Sequence, residues 1–497
     1  MISLGLDIGG TGCKCVAFRE DGSELSSAYA EYPLPSGSVT LPPDLLIAAA
    51  FEVIAGCSAG LVKKDDIACL TVSSFGESFV AVDRGGRALM DILLYFGHAE
   101  SRGFSRLFET IGEEPFMRIA RIRPDASYSL ARMLYTLETG HREVWKFLFI
   151  ASYVVWRLTG EACADVSLAC RSLLYDVEGR RWSPELVAAC GIAPESLPAV
   201  LPSGSIVGTL LPEPAAALGL PAKLPVAIGS HDQIVNALGA GVRRVGDAVV
   251  TTGSSECITP LFASIPPGLD FQRQNFASVP YLEDRGYVTY AYNISAGLVV
   301  RWFRDRFAAH LDAEANMRGL SIYDLLNADC PAEPTELMVL PFLQGMGGTP
   351  DVEPAATGLI AGLDTRTGLP EIYRAILEAL SYEMRFNQEQ LGAYGIALDR
   401  LYACGGGARS SVWLQIKADV LGCEIIPVRS TETGAMGSAI LGLAAVTGRT
   451  AFAVAEPFWS YGEPFEPDPG RQRIYDDKYR QYKRLRGLYL SELRQRT

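Results

Sequence analysis

The chain has 497 residues, a formal net charge of −13 and a hydrophobic fraction of 48%. This length exceeds what one hydrophobic core usually serves, so we expect two large domains, and the negative charge argues against nucleic acid or an anionic membrane as the main partner. No apolar run reaches the roughly 18 residues of a membrane span, and no signal-peptide pattern opens the chain. The 11 cysteines match no zinc or disulfide framework. We therefore expect a cytoplasmic protein with free thiols.

The first segment predicts two strands joined by a glycine-rich loop. The strand "ISLGLDIG" leads through glycines and a threonine into "KCVAFREDGSEL", whose last residues are typical of a hairpin turn. A loop of Gly and Thr lets backbone N–H groups approach phosphate oxygens, and Lys14 adds a positive charge. Asp7 would repel a phosphate unless a divalent cation lies between them. The alternative is a hairpin whose glycines only satisfy the turn geometry.

The remainder of the first half alternates helix and strand patterns. "PPDLLIAAAFEVIAGCSAGL" has the apolar spacing of a helix, and "IACLTVSSF" and "ESFVAVDRGGRAL" have strand patterns. The region 103–200 is predicted to be mostly helical. "LPVAIGSHDQIVNALGAGV" then repeats the opening theme of an apolar strand and a polar loop, here followed by a helix of small residues.

The second half echoes the first. "GDAVVTTGSSECITPLF" predicts strand, loop and strand, and "GYVTYAYNISAGLVVRWFRD" predicts strand, loop and helix. "PEIYRAILEALSYEMRFNQEQL" predicts a long amphipathic helix, and "RLYACGGGARSSVWLQIKADVLGCEI" predicts strand, glycine loop and helix. The pattern indicates a coarse internal duplication with a boundary near 242–247. We therefore predict domains at 1–243 and 244–497.

Five motifs in this order resemble a known family. They are "DIGGTGCK", "RLTGEACADVSLACRSLLYDVEGRRWSPELVAACGI", "GSHDQIVNALGAG", "TTGSSE", and "GGGARSSVWLQIKADVLG" followed by "TETGAMGSAILG". Each motif alone is weak, but together and at this spacing they resemble the FGGY carbohydrate kinases, relatives of xylulose, gluconate and glycerol kinases. The resemblance covers nearly the whole chain.

The resemblance implies an α/β fold of two ribonuclease-H-like (actin-like ATPase) domains flanking a deep catalytic cleft. It implies that ATP with Mg²⁺ lies mainly on the C-terminal domain and the sugar mainly on the N-terminal one. Closure of the domains would exclude water from the transferred phosphate. The implied partners are MgATP and a small sugar or polyol, without nucleic acid or membrane. A homodimer is the oligomeric state considered, although the sequence does not determine it.

The resemblance also assigns roles to individual residues. Asp232 in "SHDQ" would be the general base that takes the proton of the attacking hydroxyl, although an Asp there could also N-cap the following helix. Asp7, with Asp232, would hold Mg²⁺ directly or through water. Residues expected to contact the nucleotide are Gly10, Thr11, Lys14, Gly253, Ser254, Gly297, Gly406, Gly407 and Ala408. For the last three, a helix N-terminus suits an anion, and a plain strand-to-helix turn is the alternative.

The sugar side departs from the common family pattern. In "SSFGES", Glu77 aligns with an acidic ligand of the polyol in glycerol kinases, and in "YFGHAESR" Glu100 and Arg102 fall on the family's Asp and Arg positions. Asp125 replaces an aromatic sugar contact. Together with Gln233, these groups suit a polyhydroxylated substrate. Surface salt bridges are the alternative for Glu77 and Glu100.

His98, in the same "YFGHAESR" segment, aligns with the Trp of the family's usual motif. A structural role for this histidine is as well supported as a functional one. These departures leave the identity of the sugar open.

These observations predict an ATP-dependent kinase for a sugar or polyol hydroxyl, with a ketopentose such as xylulose as the leading substrate. Another ketose, an aldonate or a tetritol is the alternative within this class. An actin-like ATPase or chaperone shares the implied fold but lacks the "SHDQ" base, and a non-catalytic sugar-sensing relative would not need the acids and phosphate loops present here.

Overall fold

The computed structural model describes residues 1–35, 37–97 and 101–495, and each half of the chain builds one large mixed sheet. The strands of the N-terminal sheet are β1 (Ile2–Ile8), β2 (Gly12–Arg19), β3 (Glu24–Glu31), β4 (Ile67–Ser74), β5 (Ile206–Thr209) and β6 (Pro225–His231). Their order across the sheet is β5-β6-β4-β1-β2-β3. β2 is antiparallel to β1 and β3, whereas β4 runs parallel to β1 and β6. The central strand β1 is buried almost throughout, as expected for a strand covered on both faces.

The C-terminal sheet repeats this arrangement. Its strands are β7 (Asp247–Thr252), β8 (Glu256–Phe262), β9 (Val279–Pro280), β10 (Tyr287–Val288), β11 (Ala291–Asn293), β12 (Arg400–Gly405) and β13 (Glu424–Pro427). Their order is β9-β10-β8-β7-β12-β13, with β11 also paired to β8. β7 is antiparallel to β8 and parallel to β12, as β1 is to β2 and β4. The predicted internal duplication is therefore confirmed in the topology of the two sheets.

Helices pack around both sheets. The longer ones are α1 (Pro43–Ala59), α2 (Ser129–Glu138), α3 (Ile150–Thr159), α4 (Asp232–Ala240), α5 (Gly297–Phe307), α6 (Leu369–Ala393), α7 (Ser411–Leu421), α8 (Thr433–Thr447) and α9 (Pro469–Arg494). The shorter ones are Arg102–Thr110, Glu114–Ile119, Val166–Cys170, Pro184–Ala189, Pro212–Leu218, Asp270–Arg273, Asp312–Arg318, Ile322–Asp329 and Ala451–Ala455.

Short strand pairs interrupt the helices, including in the region predicted to be mostly helical. These pairs are Thr40–Leu41 with Ile92–Leu93, Phe79–Val82 with Lys146–Phe149, Cys163–Asp165 with Ala199–Leu201, Tyr175–Asp176 with Arg181–Trp182, and Met338–Leu340 with Leu359–Ala361. The strand Phe79–Val82 lies within the predicted strand segment "ESFVAVDRGGRAL". The strands between 103 and 200 are each too short to produce a periodic sequence pattern, so the mid-chain prediction omitted them.

Helices α4 and α8 cross at the junction of the two halves, and glycines allow their close approach. A Cβ at Gly437 of α8 would overlap the carbonyl oxygen of Val235, and a Cβ at Gly239 of α4 would overlap that of Thr433. Although α8 comes from the second half of the chain, it also packs on β1 and β4 of the first sheet. The predicted boundary lies between α4 and β7, and the division at 243/244 stays a prediction.

Two further predictions concern composition. All 11 cysteines are free thiols. Within residues 1–35, 37–97 and 101–495, no single helix has the length and apolarity needed to cross a membrane. A pair of helices, Thr433–Thr447 and Ala451–Phe458, meets those criteria only when taken together, and it is bent by 118° at its break.

Candidate active site

Three acidic residues follow or end neighbouring strands at one edge of the N-terminal sheet. Asp7 lies near the end of β1, Glu77 follows β4, and Asp232 follows β6. Since these three strands are parallel, their carboxyl ends lie at the same edge, where open α/β sheets commonly bind ligands. The carboxylates of Asp7 and Glu77 both raise the pKa of Asp232, so the three acids are electrostatically coupled.

Asp7 is a partly buried acid, and its buried Oδ1 atom has no hydrogen-bond partner among the described residues. Its pKa is raised to about 6, first by burial and then by the Glu432 carboxylate, with an opposing effect of Lys14. Gly434, at the start of α8, lies directly behind it, because a Cβ there would overlap Asp7 Oδ2. The helix from the second half therefore closes one side of this carboxylate and leaves Oδ1 for another ligand.

Asp232, like Asp7, is an acid with a raised pKa and an unpartnered Oδ1 atom. Its pKa is raised to about 7, first by burial and then by the Asp7 and Glu77 carboxylates, while hydrogen bonds from Gln233 act in the opposite direction. Its Oδ1 has no hydrogen-bond partner among the described residues. Asp232 is the first residue inside α4, with His231 at the N-cap position and no side-chain cap. The capping alternative is therefore not what the structure shows.

His231 connects this acid to the C-terminal half. Its Nε2 atom lies 3.3 Å from Asp232 Oδ1, although the angle is not that of a hydrogen bond. Its Nδ1 atom lies 3.2 Å from the Tyr290 hydroxyl. Burial holds the pKa of His231 well below its usual value, and Arg171 lowers it further, so the imidazole is neutral.

A divalent cation fits the two unpartnered carboxylate oxygens. Buried acids that face one another repel, and a shared cation removes both the repulsion and the unsatisfied acceptors. In the part of the chain that the structure describes, both at this site and elsewhere, no group of three or more His, Cys, Asp or Glu side chains could hold a metal ion. Mg²⁺ typically takes one or two protein carboxylates and completes its shell with phosphate and water oxygens. Asp7 and Asp232 offer two carboxylates, and their assignment as Mg²⁺ ligands stays a prediction.

The glycine loop between β1 and β2 is a tight hairpin. The Gly9 N–H donates to the Gly12 carbonyl at 2.9 Å, which leaves Gly10 and Thr11 as the turn residues. Among the described residues, the N–H groups of these two donate to no backbone carbonyl, so they are free to donate to a ligand. The Lys14 ammonium does not point to open solvent, because it pairs with Glu432 from the second half at 2.6 Å.

A cavity of about 570 Å³ in the C-terminal half contains most of the predicted nucleotide residues. The predicted residues on its wall are Gly253, Ser254, Gly297, Gly406 and Gly407. Ala408 packs against a hydrophobic cluster and does not line the cavity, and Gly10, Thr11 and Lys14 belong to the β1–β2 hairpin of the N-terminal sheet. The remaining wall, which the sequence motifs did not indicate, includes Val300, Arg301, Tyr323, Asn327, Tyr373 and Trp413. Such an apolar and aromatic wall with a few polar groups is typical of a small-molecule site.

Two local details of this cavity differ from expectation. The space of a side chain at Gly297 is taken by the Gly253 carbonyl, which accepts the Gly297 N–H at 3.1 Å. This glycine therefore makes room for the neighbouring loop. At the start of α7, the Ser410 hydroxyl accepts the Trp413 N–H at 3.2 Å. The Ser410 side chain therefore already caps this helix end and occupies the Trp413 N–H. Anion binding there stays a prediction.

The predicted sugar residues differ in their surroundings. Glu77 is buried and forms an ion pair with Arg171, so the alternative of a surface salt bridge does not hold for it. The Gln233 side-chain oxygen is buried without a partner among the described residues. Asp125 is exposed and accepts the Ser127 N–H at 2.8 Å.

Of the predicted residues around position 100, only Arg102 lies within the described residues. The Arg102 side chain is exposed, and its backbone N–H donates to Glu138 at 3.2 Å. Glu100 and His98 lie outside the described residues.

Sequence reasoning missed several residues at this edge. Arg171 stood inside the mid-chain motif, but nothing in the spacing paired it with Glu77, which is 94 positions away. Tyr95 lies beside the hairpin, 3.3 Å from the position of a Cβ at Gly10. Tyr290 meets His231 only because the two halves fold together. The only sequence feature that could have indicated Tyr95 is its place as an aromatic residue in the motif "YFGHAESR".

Another cavity, of about 620 Å³, is larger than the one in the C-terminal half. It is lined by parts of residues 202–206, 280–284 and 441–451, and it contains none of the predicted site residues. The larger cavity is therefore not the one that contains the predicted residues.

Comparison with known proteins agrees with this geometry. The model of the FGGY family of carbohydrate kinases, N-terminal domain, matches residues 2–239, and that of the C-terminal domain matches 250–446. The xylulose kinase of Bacillus subtilis (strain 168) is 25% identical over 450 residues, covering 88% of this chain and 87% of that protein. The gluconokinase of the same organism is 27% identical over 457 residues, covering 88% and 86%.

The fold also matches solved structures. A ligand-bound xylulose kinase from Lactobacillus acidophilus superimposes with a TM-score of 0.87 at 19% identity, covering 100% of both chains. The fold and site thus define an enzyme with two actin-like ATPase domains. The chain belongs to the FGGY family of carbohydrate kinases, which use ATP as the phosphate donor.

Proposed function

We propose that this carbohydrate kinase transfers the terminal phosphoryl group of MgATP to a hydroxyl of a ketopentose such as xylulose. Another ketose, an aldonate or a tetritol is the alternative, because xylulose kinases and gluconokinases are similarly related to the chain. The observation that supports the chemistry is the carboxyl of Asp232, which is partly buried and has a pKa of about 7. A base with that pKa is matched to proton abstraction near neutral pH.

In this proposal, Asp232 accepts the proton of the attacking hydroxyl, and Asp7 and Asp232 hold Mg²⁺. The cation would neutralise phosphate charge when bound. The free N–H groups of Gly10 and Thr11 would donate to phosphate oxygens, with Lys14 released from Glu432. The sugar would lie on the N-terminal side, near Glu77 and Gln233, and also near Asp125, Glu100 and Arg102.

On the C-terminal side, the proposal places the nucleotide in the 570 Å³ cavity. That cavity contains Gly253, Ser254, Gly297, Gly406 and Gly407 on its wall. Its aromatic wall suits a purine base, and the glycines allow close approach of phosphate or ribose. A cytoplasmic location belongs to the same proposal, supported by 11 free thiols.

An ADP-release assay over pentuloses, hexuloses, aldonates and tetritols tests the proposal. Release that depends on one sugar, with a ketopentose giving the highest kcat/KM, is the expected result. ADP release that is independent of every sugar would instead favour an actin-like ATPase. Sugar binding without turnover would favour a sensing role. Either of these outcomes would remove the proposed activity.

A further inference from the structure

Glu77 and Arg171 form a buried ion pair at the candidate sugar side. The Nε atom of Arg171 donates to Glu77 Oε1 at 2.5 Å, and Nη2 contacts the same oxygen. The two side chains are only 12% and 11% exposed. Gly76 makes room for the pair, because a Cβ there would lie 3.0 Å from Arg171 Cγ. The charge of Arg171 is therefore matched by a carboxylate of the protein itself.

Two aromatic rings also contact the guanidinium. The ring of Tyr128 lies 4.8 Å from Arg171 Cζ, and the ring of Tyr290 lies 5.1 Å from it on the C-terminal half. Cation–π contacts on a desolvated guanidinium add to the ion pair. Arg171 is thus a fixed group, and it would not move to meet an anion from outside.

Other cations near the site are engaged elsewhere. Arg132 is buried, and its guanidinium donates to backbone carbonyls, including those of Leu94 and Gly97, each at 3.0 Å. Lys14 pairs with Glu432. By contrast, three carboxylates lie at this edge of the N-terminal sheet, where the parallel strands β1, β4 and β6 end. The electrostatic character of this edge is negative, and an anionic substrate group would be repelled by it.

The pair retains hydrogen-bonding capacity for neutral groups. Both contacts of Arg171 use Glu77 Oε1, and within the described residues neither Glu77 Oε2 nor Arg171 Nη1 makes a hydrogen bond. A hydroxyl group can donate to the first atom and accept from the second. A carboxylate can only accept, so it would gain one contact and face the repulsion of Glu77.

Building on the proposed kinase function, we propose that the Glu77–Arg171 pair selects uncharged polyhydroxy substrates, ketoses or polyols, and rejects sugar acids. Glu77 acts in this scheme as the neutralising partner of Arg171 as well as a hydroxyl acceptor. The specificity therefore comes partly from repulsion of the wrong substrate. This inference favours a ketose or a tetritol, rather than an aldonate, as the substrate.

The first test uses the wild-type protein and matched pairs of compounds. Xylulose and xylitol are compared with xylonate, and sorbitol with gluconate, by calorimetry and by ADP release. We expect a neutral compound to bind at least ~10-fold more tightly than its matched acid, since unfavourable charge juxtaposition costs more than one such factor. An aldonate that binds as tightly as its neutral partner would overturn the inference, whether or not it is phosphorylated.

The second test is Glu77→Gln, with Asp125→Asn as the matched control. Both variants remove one negative charge from the sugar side, but only the first leaves Arg171 without its carboxylate. We expect Glu77→Gln to gain aldonate affinity by ~10-fold or more and to raise the KM for a neutral sugar, with little change in the KM for ATP. Asp125→Asn should gain no comparable affinity. Equal gains in both variants would attribute the effect to net charge and overturn the role of the pair.

Failure of the kinase proposal is distinguishable from failure of this inference. Selective binding of a neutral sugar without phosphate transfer would leave the inference standing and remove the proposed activity. Efficient phosphorylation of an aldonate by the wild-type protein would do the reverse. Because loss of one buried ionic partner can unfold a protein, thermal melting of Glu77→Gln accompanies the assay. If that variant does not fold, the wild-type comparison alone decides the question.

Discussion

Asp232 shows how a single residue acquires its chemistry from its neighbours. An isolated aspartate has a pKa of 3.8, and burial together with two other carboxylates raises that of Asp232 to about 7. Its Oδ1 atom has no hydrogen-bond partner within the described residues, although unsatisfied buried polar atoms are costly. A group kept in this state at a cleft edge is typical of a functional site rather than of a structural one.

Replacing Asp232 with Asn tests its proposed role as general base. The amide cannot take a proton, so turnover should fall by ~10²–10⁴-fold or more. Sugar binding should persist, because the amide oxygen still accepts a hydrogen bond, and thermal stability should change little. Single-turnover phosphorylation, calorimetric sugar binding and thermal melting measure the three quantities. Near-normal phosphorylation by a folded variant would rule out the mechanism while leaving family membership intact.

The activity should also depend on pH. Because the proposed base must be ionised, kcat/KM for the sugar should rise with pH and level off above about 7. The midpoint belongs to the coupled Asp7–Asp232 pair and should move down as Mg²⁺ is raised. A pH–rate series at two Mg²⁺ concentrations measures this. A rate that is flat between pH 5.5 and 8 would contradict the assignment.

The same acids affect stability with a definite sign. The pKa values of Asp7 and Asp232 in the folded protein, about 6 and about 7, lie above the ordinary 3.8. The folded state therefore holds more protons than the unfolded state between about pH 4 and 7. Their contribution to the free energy of unfolding falls as pH rises through this window.

Asp7→Asn tests the proposed metal site. Removing the charge should raise the Mg²⁺ concentration needed for half-maximal turnover and weaken nucleotide turnover, because a carboxylate ligand of the cation is lost. Sugar affinity should be largely retained. A Mg²⁺ titration of initial rates, paired with calorimetric sugar binding, separates these effects. Unchanged Mg²⁺ dependence would exclude Asp7 from the metal site.

At the scale of elements, the crossing of α4 and α8 determines where the acids lie. α4 begins with Asp232, and the glycine of α8 nearest the site, Gly434, lies against Asp7. The helices approach closely because Gly239 and Gly437 have no side chains at the contact. Tight helix contacts of this kind tolerate added volume poorly, since packed interiors are dense.

Gly437→Ala should therefore destabilise the fold. A Cβ at that position would overlap the Val235 carbonyl, and forced overpacking typically costs about 1–3 kcal/mol. The matched control is Gly487→Ala in α9, where a Cβ meets nothing within 4 Å. The control should gain up to ~1 kcal/mol from helix propensity. Denaturant unfolding of both variants measures the difference in their free energies of unfolding. Equal stability of the two would show that the contact between α4 and α8 can accommodate an added methyl group.

At the scale of the whole molecule, one contact links the phosphate hairpin to the second half. Lys14 follows the β1–β2 turn, and Glu432 immediately precedes α8, so their 2.6 Å ion pair spans 418 positions. The Glu432 carboxylate also raises the pKa of Asp7. The pair therefore connects the second half of the chain to the hairpin and lies close to the proposed metal site.

Glu432→Gln should release Lys14 for the nucleotide. Partly exposed ion pairs contribute up to ~1 kcal/mol, so the KM for ATP should fall by up to about five-fold. Lys14→Met, the control, removes the proposed phosphate contact and should raise the same constant. Steady-state kinetics with ATP varied at saturating sugar measures both. If neither substitution moved the ATP constant, Lys14 would have no part in nucleotide binding.

Much of the architecture could be predicted from the sequence, because its signals are local. Apolar strands that end in Gly, Ser or Thr loops predicted the duplicated α/β halves, and the order of five motifs indicated the family. The helix α8 was missed as an element, because glycines in "TETGAMGSAILG" weaken helix propensity. It forms because those glycines fit a tight interface, which propensity does not describe.

The sequence by itself determined the class of fold, the family and the positions of Asp7 and Asp232 at strand ends. Only the tertiary structure decided which groups meet: Glu77 with Arg171 across 94 positions, His231 with Tyr290 across 59, and Lys14 with Glu432 across 418. The physical reason is that backbone patterns repeat over a few residues and can be read locally. Ion pairs, burial and raised pKa values depend instead on distances between side chains that are remote in the chain and become neighbours only when both halves pack.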